Sequence, residues 1–459
     1  MTLTINALVL FAVVASFFYA GRLKAYRLSG GHLANLNSLP GHYGSYALVW
    51  CLIPSALVLS LWAGFGNAYV DATVLARLAE QNQGFTDAEL SLLLNDVRNY
   101  VSGDVVSGLS SDIEALGSDY VSMLRSGRWF VFALSLLLAA GGGAYGYSRI
   151  RPQLRARNQV ERVIRGIMLA CSVAAILVTV GIIFSLLFET LRFFALVPVA
   201  EFIFGVEWSP QIALRADQVV SSGSFGAIPL FTGTLLITFI AMCVAGPIGL
   251  MSAIYMTQYA DERVRSAAKP ILEILAGVPT VVFGFFAALV VAPWLRGAGE
   301  GIGLDVASES ALAAGLVMGV MVIPFMSSLT DDALAAVPQA MRDGSYALGA
   351  TKAETIKHVL IPAALPGIVG SFLLSVSRAI GETMIVVMAA GLAANLTANP
   401  LEAVTTVTVQ IVTLLTGDQE FDSAKTLAAF ALGLVLFLVT LALNVVALRV
   451  VKKYREQYE

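Results

Sequence analysis

The chain has 459 residues, 58% of them apolar and 13% charged, against roughly 45–50% and 25% in a soluble globular domain. Its 28 basic and 31 acidic residues give a net charge of −3, which leaves no basic excess to hold nucleic acid. The apolar surplus falls in runs of bilayer length, which excludes an ordinary soluble enzyme and predicts an all-α integral membrane protein.

The first run, about 4–20, is followed by Arg22, Lys24 and Arg27 instead of being preceded by basic residues, and no A-x-A-like site ends it. It reads as a retained membrane helix, not a signal peptide. Further runs lie at about 45–64, 129–148, 166–188, 229–257, 271–295, 309–329, 364–390 and 426–448, each near the roughly 20 residues a helical span needs. Nine spans put the termini on opposite sides. With the N-terminus outside, the inner segments hold Arg22, Lys24, Arg27; Arg149, Arg151, Arg155, Arg157, Arg162, Arg165; Arg263, Arg265, Lys269; Arg342, Lys352, Lys357; and Arg449, Lys452, Lys453, Arg455, which is 19 of the 28 basic residues. The outer segments keep Arg77, Arg98, Arg125, Arg128, Arg192, Arg215, Arg296 and Lys425. The positive-inside rule therefore predicts N-out, C-in, and Trp62, Trp129, Trp208 and Trp294 then fall at or just beyond outer span ends.

The outer segment 66–128 is acidic and helix-patterned: Thr86 and Glu89 form a capping box, followed by Leu90, Leu93, Val97 and Val101. It reads as a small helical hairpin, either a cap over the membrane helices or a docking surface for a soluble partner. The arginine-rich run 149–157 divides a three-span part, 1–165, from a six-span part, 166–459. Cys51, Cys171 and Cys243 lie inside apolar runs and suit neither a disulfide framework nor a zinc site. There is no G-x-x-x-x-G-K-[ST] loop and no H-E-x-x-H, and His32, His42 and His358 are scattered, so neither ATP hydrolysis by this chain nor a metal centre is expected. Gly297, Gly299, Gly301 and Gly303 have no strand before them and read as a flexible connector.

In the sixth span Lys269, Glu273, Gly277, Thr280 and Gly284 recur at helical spacing, predicting one small or polar face. Gly315-x-x-x-Gly319 in the seventh offers another small surface. Both read first as packing faces, with Glu273 and Thr280 as candidate path-lining residues second. Pro247, Pro279 and Pro324 mark expected kinks. In the eighth span Ser371, Ser375, Arg378 and Glu382 are spaced +4, +3 and +4, a polar stripe. An arginine inside a span costs at least about 2.5–3.5 kcal/mol on insertion scales, so it needs a partner or a polar path. Two readings stay open: Arg378 and Glu382 as an ion pair that locks helices, or as residues along an anion path.

Between the seventh and eighth spans runs Asp343-Gly-Ser-Tyr-Ala-Leu-Gly349, then nine residues, then Val359-Leu-Ile-Pro362. This resembles the E-A-A-x-x-x-G-x9-I-x-L-P loop of ABC-importer permeases, with Gly349 and Pro362 in register, Asp343 in place of Glu, and Gly344 and Ser345 in place of Ala-Ala. A short helix through 337–348 ended by Gly349 would form a cytoplasmic knob. Together with Leu-Gly-Ala-Thr-Lys (348–352), Leu-Ala-Gly-Val-Pro-Thr-Val-Val-Phe-Gly (275–284) and Arg-Ala-Ile-Gly-Glu-Thr-Met (378–384), it is similar over about 166–459 to the PstC family, permeases of the phosphate-specific ABC importers. The sister permease of those importers shares Arg-Ala-x-Gly-Glu-Thr but continues with Ala-Pro, where Met384 and Ile385 stand here. The resemblance implies a type I ABC-importer permease fold and a place in the bacterial cytoplasmic membrane. It implies as partners a sister permease, two ATP-binding subunits and a periplasmic phosphate-binding protein. No cofactor would be bound by this chain, and ATP and Mg would act at the partner ATPase. The segment 330–362 would be the coupling helix, with Asp343, Gly344, Ser345, Gly349, Ala350, Thr351 and Pro362 at the contact. The alternatives are a permease for another oxyanion, an ion-coupled secondary transporter, or a membrane phosphate-sensing scaffold.

Overall fold

A computed structural model describes residues 2–30, 32–81, 87–102, 111–210, 223–416 and 423–455. The chain divides into two units, Met1–Leu177 and Val178–Glu459, with the division inside a helix twelve residues beyond the expected boundary. Among the described residues nine helical segments are long and apolar enough to cross a membrane.

The first unit is built from α1 (Thr2–Leu28), α2 (Pro40–Gln81), α3 (Asp87–Ser102) and α4 (Ser111–Arg149). At 1.5 Å per residue, the 42 residues of α2 rise about 63 Å, twice the roughly 30 Å hydrocarbon core. Both α2 and α4 therefore extend beyond any bilayer, and α3 packs on the extensions through Val74, Leu78, Leu90, Leu94 and Val97. Arg98 and Tyr120 both donate to Asp71. The expected hairpin is thus one short helix against two long ones; Thr86 of the expected capping box lies outside the described residues. At the other end Lys24 donates to the Tyr147 carbonyl at 2.6 Å and Tyr43 to those of Pro152 and Leu154. These bonds close the arginine-rich turn onto α1 and α2.

Helix α5 (Ala156–Leu196) leads into the second unit. There follow α6 (Val199–Phe204), a two-stranded antiparallel ribbon of β1 (Trp208–Ser209) and β2 (Ser224–Phe225), α7 (Ile228–Ile254), a wide π turn (Tyr255–Tyr259) and α8 (Glu262–Ala276). Next come α9 (Thr280–Phe286), a second π turn (Ala287–Val291), α10 (Ala292–Glu300) and α11 (Ala311–Ala335). The rest is α12 (Gln339–Ala347), α13 (Lys352–Thr355), a third π turn (Ile356–Leu360), α14 (Ile361–Ile380), α15 (Met384–Ala389), α16 (Val407–Leu415) and α17 (Ala424–Arg455).

The core of this unit is the α7–α11 pair. A Cβ at Gly315 would lie 2.6 Å from Ile240 and one at Gly319 2.8 Å from Val244, so the two glycines let the helices meet, as the small-residue spacing anticipates. Around them pack Phe283, Met318, Met321, Ile385 and Val386. A second cluster of Phe193, Phe202, Trp208, Phe225, Leu414 and Leu432 gathers α5, α6, the ribbon, α16 and α17. Gln410 stitches it: its carbonyl accepts from the Trp208 indole at 3.0 Å and its amide donates to the Leu392 carbonyl at 3.0 Å. One carbonyl of the irregular stretch between α15 and α16, that of Leu392, is satisfied this way.

Two expected spans are corrected. The run 271–295 is not one helix: α8 ends at Gly277, and Pro279, which has no N–H and pushes its predecessor out of the α region, starts α9. The crossing segment is Thr280–Glu300, and Gly297 and Gly299, expected in a flexible connector, lie within α10. Likewise the eighth crossing is Lys352–Ile380 instead of 364–390. Within it Pro362 falls in the first turn of α14 and Pro366 inside that helix, which stops at Gly381.

Candidate functional site

Helix α11 ends at Ala335, and after Val337 and Pro338 the chain turns into α12, nine residues of which none is buried. Its apolar side chains stay outside: Met341 and Tyr346 are exposed, and Leu348 at its end is 90% exposed. The helix stops because Gly349 takes φ +86°, a left-handed conformation that glycine adopts without strain. The Gly349 and Ala350 amides donate to the carbonyls of Tyr346 and Ser345 at 2.9 and 3.2 Å. Thr351 then caps the next helix: its hydroxyl accepts from the Glu354 amide at 3.3 Å while the Glu354 carboxylate accepts from the Thr351 amide at 2.8 Å. The Thr-x-x-Glu spacing carries this capping box in the sequence.

The knob is tied at both ends. Arg342 donates to the Leu334 carbonyl at 2.9 Å, and Ser345 and the buried Thr355 share a hydroxyl hydrogen bond of 2.9 Å. Beneath it lies a small apolar cluster of Ile254, Leu334, Val337, Ile356, Leu360 and Ile368. Asp343, by contrast, is exposed and accepts only from Gln339 at 3.2 Å, one turn away. Gly344 has open space around it, and Ala350 and Pro362 are half-buried.

One constellation was missed in the sequence. Asp331, on the last turn of α11 and 1% exposed, accepts from Arg265 at 3.0 Å, Lys269 at 3.1 Å and Thr257 at 3.1 Å. Lys269 also reaches Asp332 at 3.5 Å. The hydrogen bond to Asp331 holds the Lys269 ammonium above the ordinary lysine value. A carboxylate with two cations and a hydroxyl is a satisfied buried charge, and it fastens α8 to the base of the knob. Its signal was the presence of acids where the seventh span ends and of bases in the preceding inner segment, which span prediction counts only for orientation.

The expected polar stripe divides. Ser371 and Ser375 are buried in α14, and each hydroxyl donates to a carbonyl one turn back, at 2.9 and 2.8 Å. Arg378, at the C-terminal end of the helix, is exposed, its guanidinium 5.6 Å from the centroid of the Phe325 ring. Glu382 lies past the helix end and accepts from the amides of Met384 and Ile385 at 3.1 and 3.4 Å, capping α15. The expected Arg378–Glu382 ion pair is therefore not formed among the described residues, because Gly381 ends α14 before the stripe reaches Glu382. Among the described residues no carboxylate pairs with the Arg378 guanidinium.

The single face from Lys269 to Gly284 is likewise corrected, since the break at Gly277–Pro279 puts Lys269 and Glu273 on α8 and Thr280 and Gly284 on α9. Glu273 is exposed and Thr280 half-buried at the first position of α9. Gly284 packs closely on α15, where a Cβ would lie 2.8 Å from the Met388 sulfur.

Residues 6–178 match a family model described as a phosphate ATP-binding cassette transporter. Residues 245–456 match one described as a binding-protein-dependent transport system inner membrane component. A probable ABC transporter permease protein, YqgH, of Bacillus subtilis is 32% identical over 293 residues, 62% of this chain and 89% of its own. A phosphate transport system permease protein, PstC 1, of Mycobacterium tuberculosis is 32% identical over 286 residues, 55% of this chain and 81% of its own. PstC of Mesorhizobium japonicum is 29% identical over 245 residues, 49% and 72% of the two chains.

Proposed function

This chain belongs to the permeases of binding-protein-dependent phosphate ABC importers, and from that premise we propose how its own residues couple and conduct. It is a permease subunit for phosphate, multi-pass in the membrane. On our reading it lies in the bacterial cytoplasmic membrane with the N-terminus outside and the C-terminus inside. It pairs with a sister permease and meets two ATP-binding subunits inside and a phosphate-binding protein outside. ATP and Mg act at those ATP-binding subunits, and this chain contributes no cofactor.

The observation that carries the reading is α12, a helix with no buried residue, closed by a left-handed glycine and bonded to the spans on both sides. Such an element is poised to be buried by a partner. Displacement of α12 would pass to α11 through Arg342 and the Leu334 carbonyl, to α13 at the start of the eighth crossing through Ser345 and Thr355, and to α8 through Asp331 with Arg265 and Lys269. Rigid packed helices transmit such shifts with little loss.

The anion contact is assigned to Arg378. Its exposure on its own chain, beside Phe325, leaves the guanidinium free to meet phosphate at a surface shared with the sister permease. Glu382, aimed at the α15 amides, does not neutralise it. The deciding experiment is phosphate uptake into vesicles carrying the assembled complex, with and without ATP and with sulfate and molybdate as competitors. Uptake without ATP, or equal uptake of the competitors when the binding protein is present, contradicts the reading.

A further inference from the structure

The first unit segregates its charge. Arg22, Lys24, Arg27, Arg149, Arg151, Arg155, Arg157, Arg162 and Arg165 all stand toward the end where α1 and α4 stop and α2 and α5 start. The sequence holds no acid from Met1 to Val70 and none from Tyr120 to Val160. Among the unit's described residues Glu161 is therefore the one carboxylate beside these nine cations, and Arg157 takes it at 2.6 Å. The segment 66–128, toward the other end, carries nine acids against four arginines. The positive-inside rule accounts for bases at span ends, but acids weigh little in it, so their exclusion here is a separate observation. In the second unit the bases Arg265 and Lys269 are matched within the chain by Asp331 and Asp332. Here the chain leaves the matching charge to something outside it.

The cations sit on a low, fastened surface. Both connections at this end are short, residues 29–39 between α1 and α2 and residues 150–155 between α4 and α5. They are bonded across to each other: the Asn37 amide donates to the Pro152 carbonyl at 3.1 Å, and the Arg157 amide to the Ser38 hydroxyl at 3.3 Å. The Tyr43 hydroxyl donates to the carbonyls of Pro152 and Leu154, and beneath lies a buried cluster of Ala25, Tyr43, Tyr46, Ile150, Ala156 and Val160. Among the described residues neither connection carries an exposed α-helix like α12.

Where this surface lies selects the partner. Arg22, Arg149 and Arg165 are the first charges past the apolar runs of α1, α4 and α5, which sets them at the hydrocarbon boundary. Leu33 and Leu39 are exposed among the cations, with the rings of Tyr26, Tyr145 and Tyr147. Apolar side chains and amphipathic rings interleaved with cations suit a membrane interface. From this arrangement we infer that this end of the first unit is a docking face for the headgroups of anionic phospholipids in the adjoining leaflet, their phosphates held by the guanidinium groups. Inorganic phosphate shares that chemistry, but it brings no acyl chains for the exposed leucines and tyrosines to meet.

The test uses the assembled complex in phosphatidylcholine nanodiscs, with a fluorophore on Asn158→Cys, exposed beside Arg157, and with the exposed Cys171 and Cys243 changed to alanine. Phosphatidylglycerol or phosphatidylcholine carrying a nitroxide on the same acyl carbon is added at equal low fractions. Quenching by the phosphatidylglycerol probe is expected to be about threefold the stronger, and the preference to vanish at about 1 M NaCl, where the screening length falls to about 3 Å. A fluorophore on Leu8→Cys, exposed toward the other end of α1, should show no preference. The triple variant Arg151→Gln, Arg155→Gln, Arg162→Gln keeps six of the nine cations to hold the orientation and should lose most of the preference at Asn158. A preference no greater at Asn158 than at Leu8, or unchanged in a triple variant that assembles, overturns the site. Inorganic phosphate that abolishes the preference where chloride of equal ionic strength does not would assign the cations to the free anion. A preference seen only after the ATP-binding subunits are stripped would assign them to a protein contact, and either result overturns the lipid docking.

Discussion

Leu348 gives the sharpest test of the knob. Its side chain is 90% exposed at the tip of α12, an unusual setting for leucine. If an ATP-binding subunit covers it, Leu348→Ala removes three carbon groups from the contact. At about 0.8 kcal/mol per buried CH2, scaled by the surface available, the loss is about 2 kcal/mol, or roughly 30-fold in dissociation constant. The fold does not suffer, because nothing in the chain packs on this side chain. The assay is binding of the purified ATP-binding subunit to the permease pair in nanodiscs by interferometry, with Gln339→Ala, at the base of the same helix, as the control. A Leu348→Ala complex within about twofold of the wild type would mean that α12 is not buried by that partner and that the coupling assignment is wrong.

Gly349→Val places a β-branched residue at φ +86°, and insertion should persist while docking and uptake fall at least tenfold, read by the same interferometry at a strain of a little over 1 kcal/mol. Asp331→Asn removes the buried negative charge that Arg265 and Lys269 pair with and turns one acceptor oxygen into a donor facing them; loss of about 3 kcal/mol is expected, seen as a lower thermal midpoint in detergent, whereas Arg265→Gln alone loses less because Lys269 remains. Arg378→Gln should abolish phosphate uptake with the complex still assembled, and the Arg378→Gln, Glu382→Gln double variant should stay inactive; a transport-competent double variant would return both residues to a packing role. Ser122→Cys, exposed on α4, should react with an impermeant thiol reagent added outside intact cells, and reaction only after the membrane is opened would reverse the orientation.

The crossings were legible because each is a long apolar run, and the α7–α11 contact because Gly315 and Gly319 sit one turn apart. Both signals are local. What misled was helical spacing extended across a break. The positions Lys269 to Gly284 and Ser371 to Glu382 keep perfect periodicity, yet Gly277–Pro279 and Gly381 end the helices, so residues in phase on paper sit on different elements. Glu382 illustrates the reason: a carboxylate four residues after an arginine is its neighbour only if the helix continues, and here two free amides at the start of α15 claim it instead. The Asp331 cluster was invisible for the opposite reason. Its partners are 62 and 66 residues away in the chain, a separation that no periodicity bridges. The knob itself was read from motif resemblance, and its capping box at Thr351 was there to be read from spacing alone.

Two wide turns, Ala287–Val291 and Ile356–Leu360, lie inside continuous helices and each carry the equivalent of one inserted residue, while a further one, Tyr255–Tyr259, closes α7 ahead of the extended Ala260. An insertion of that kind shifts the angular phase of everything after it by about 100°. Each of those two helices therefore presents one azimuth to its neighbours before the turn and another after it, and the two can be chosen separately by sequence. Lys352, just ahead of the Ile356–Leu360 turn, stands 5.0 Å over the ring of Tyr259, so that slip adjoins the end of α7 beside the knob. Deleting a single residue within either turn would rewind it to an ordinary α-helix and rotate the face beyond by a quarter turn or more, with no apolar residue lost from the span. Lineages of such helices have room to re-aim a surface by length alone, one residue at a time, where elsewhere in the span the same deletion would scramble the packing.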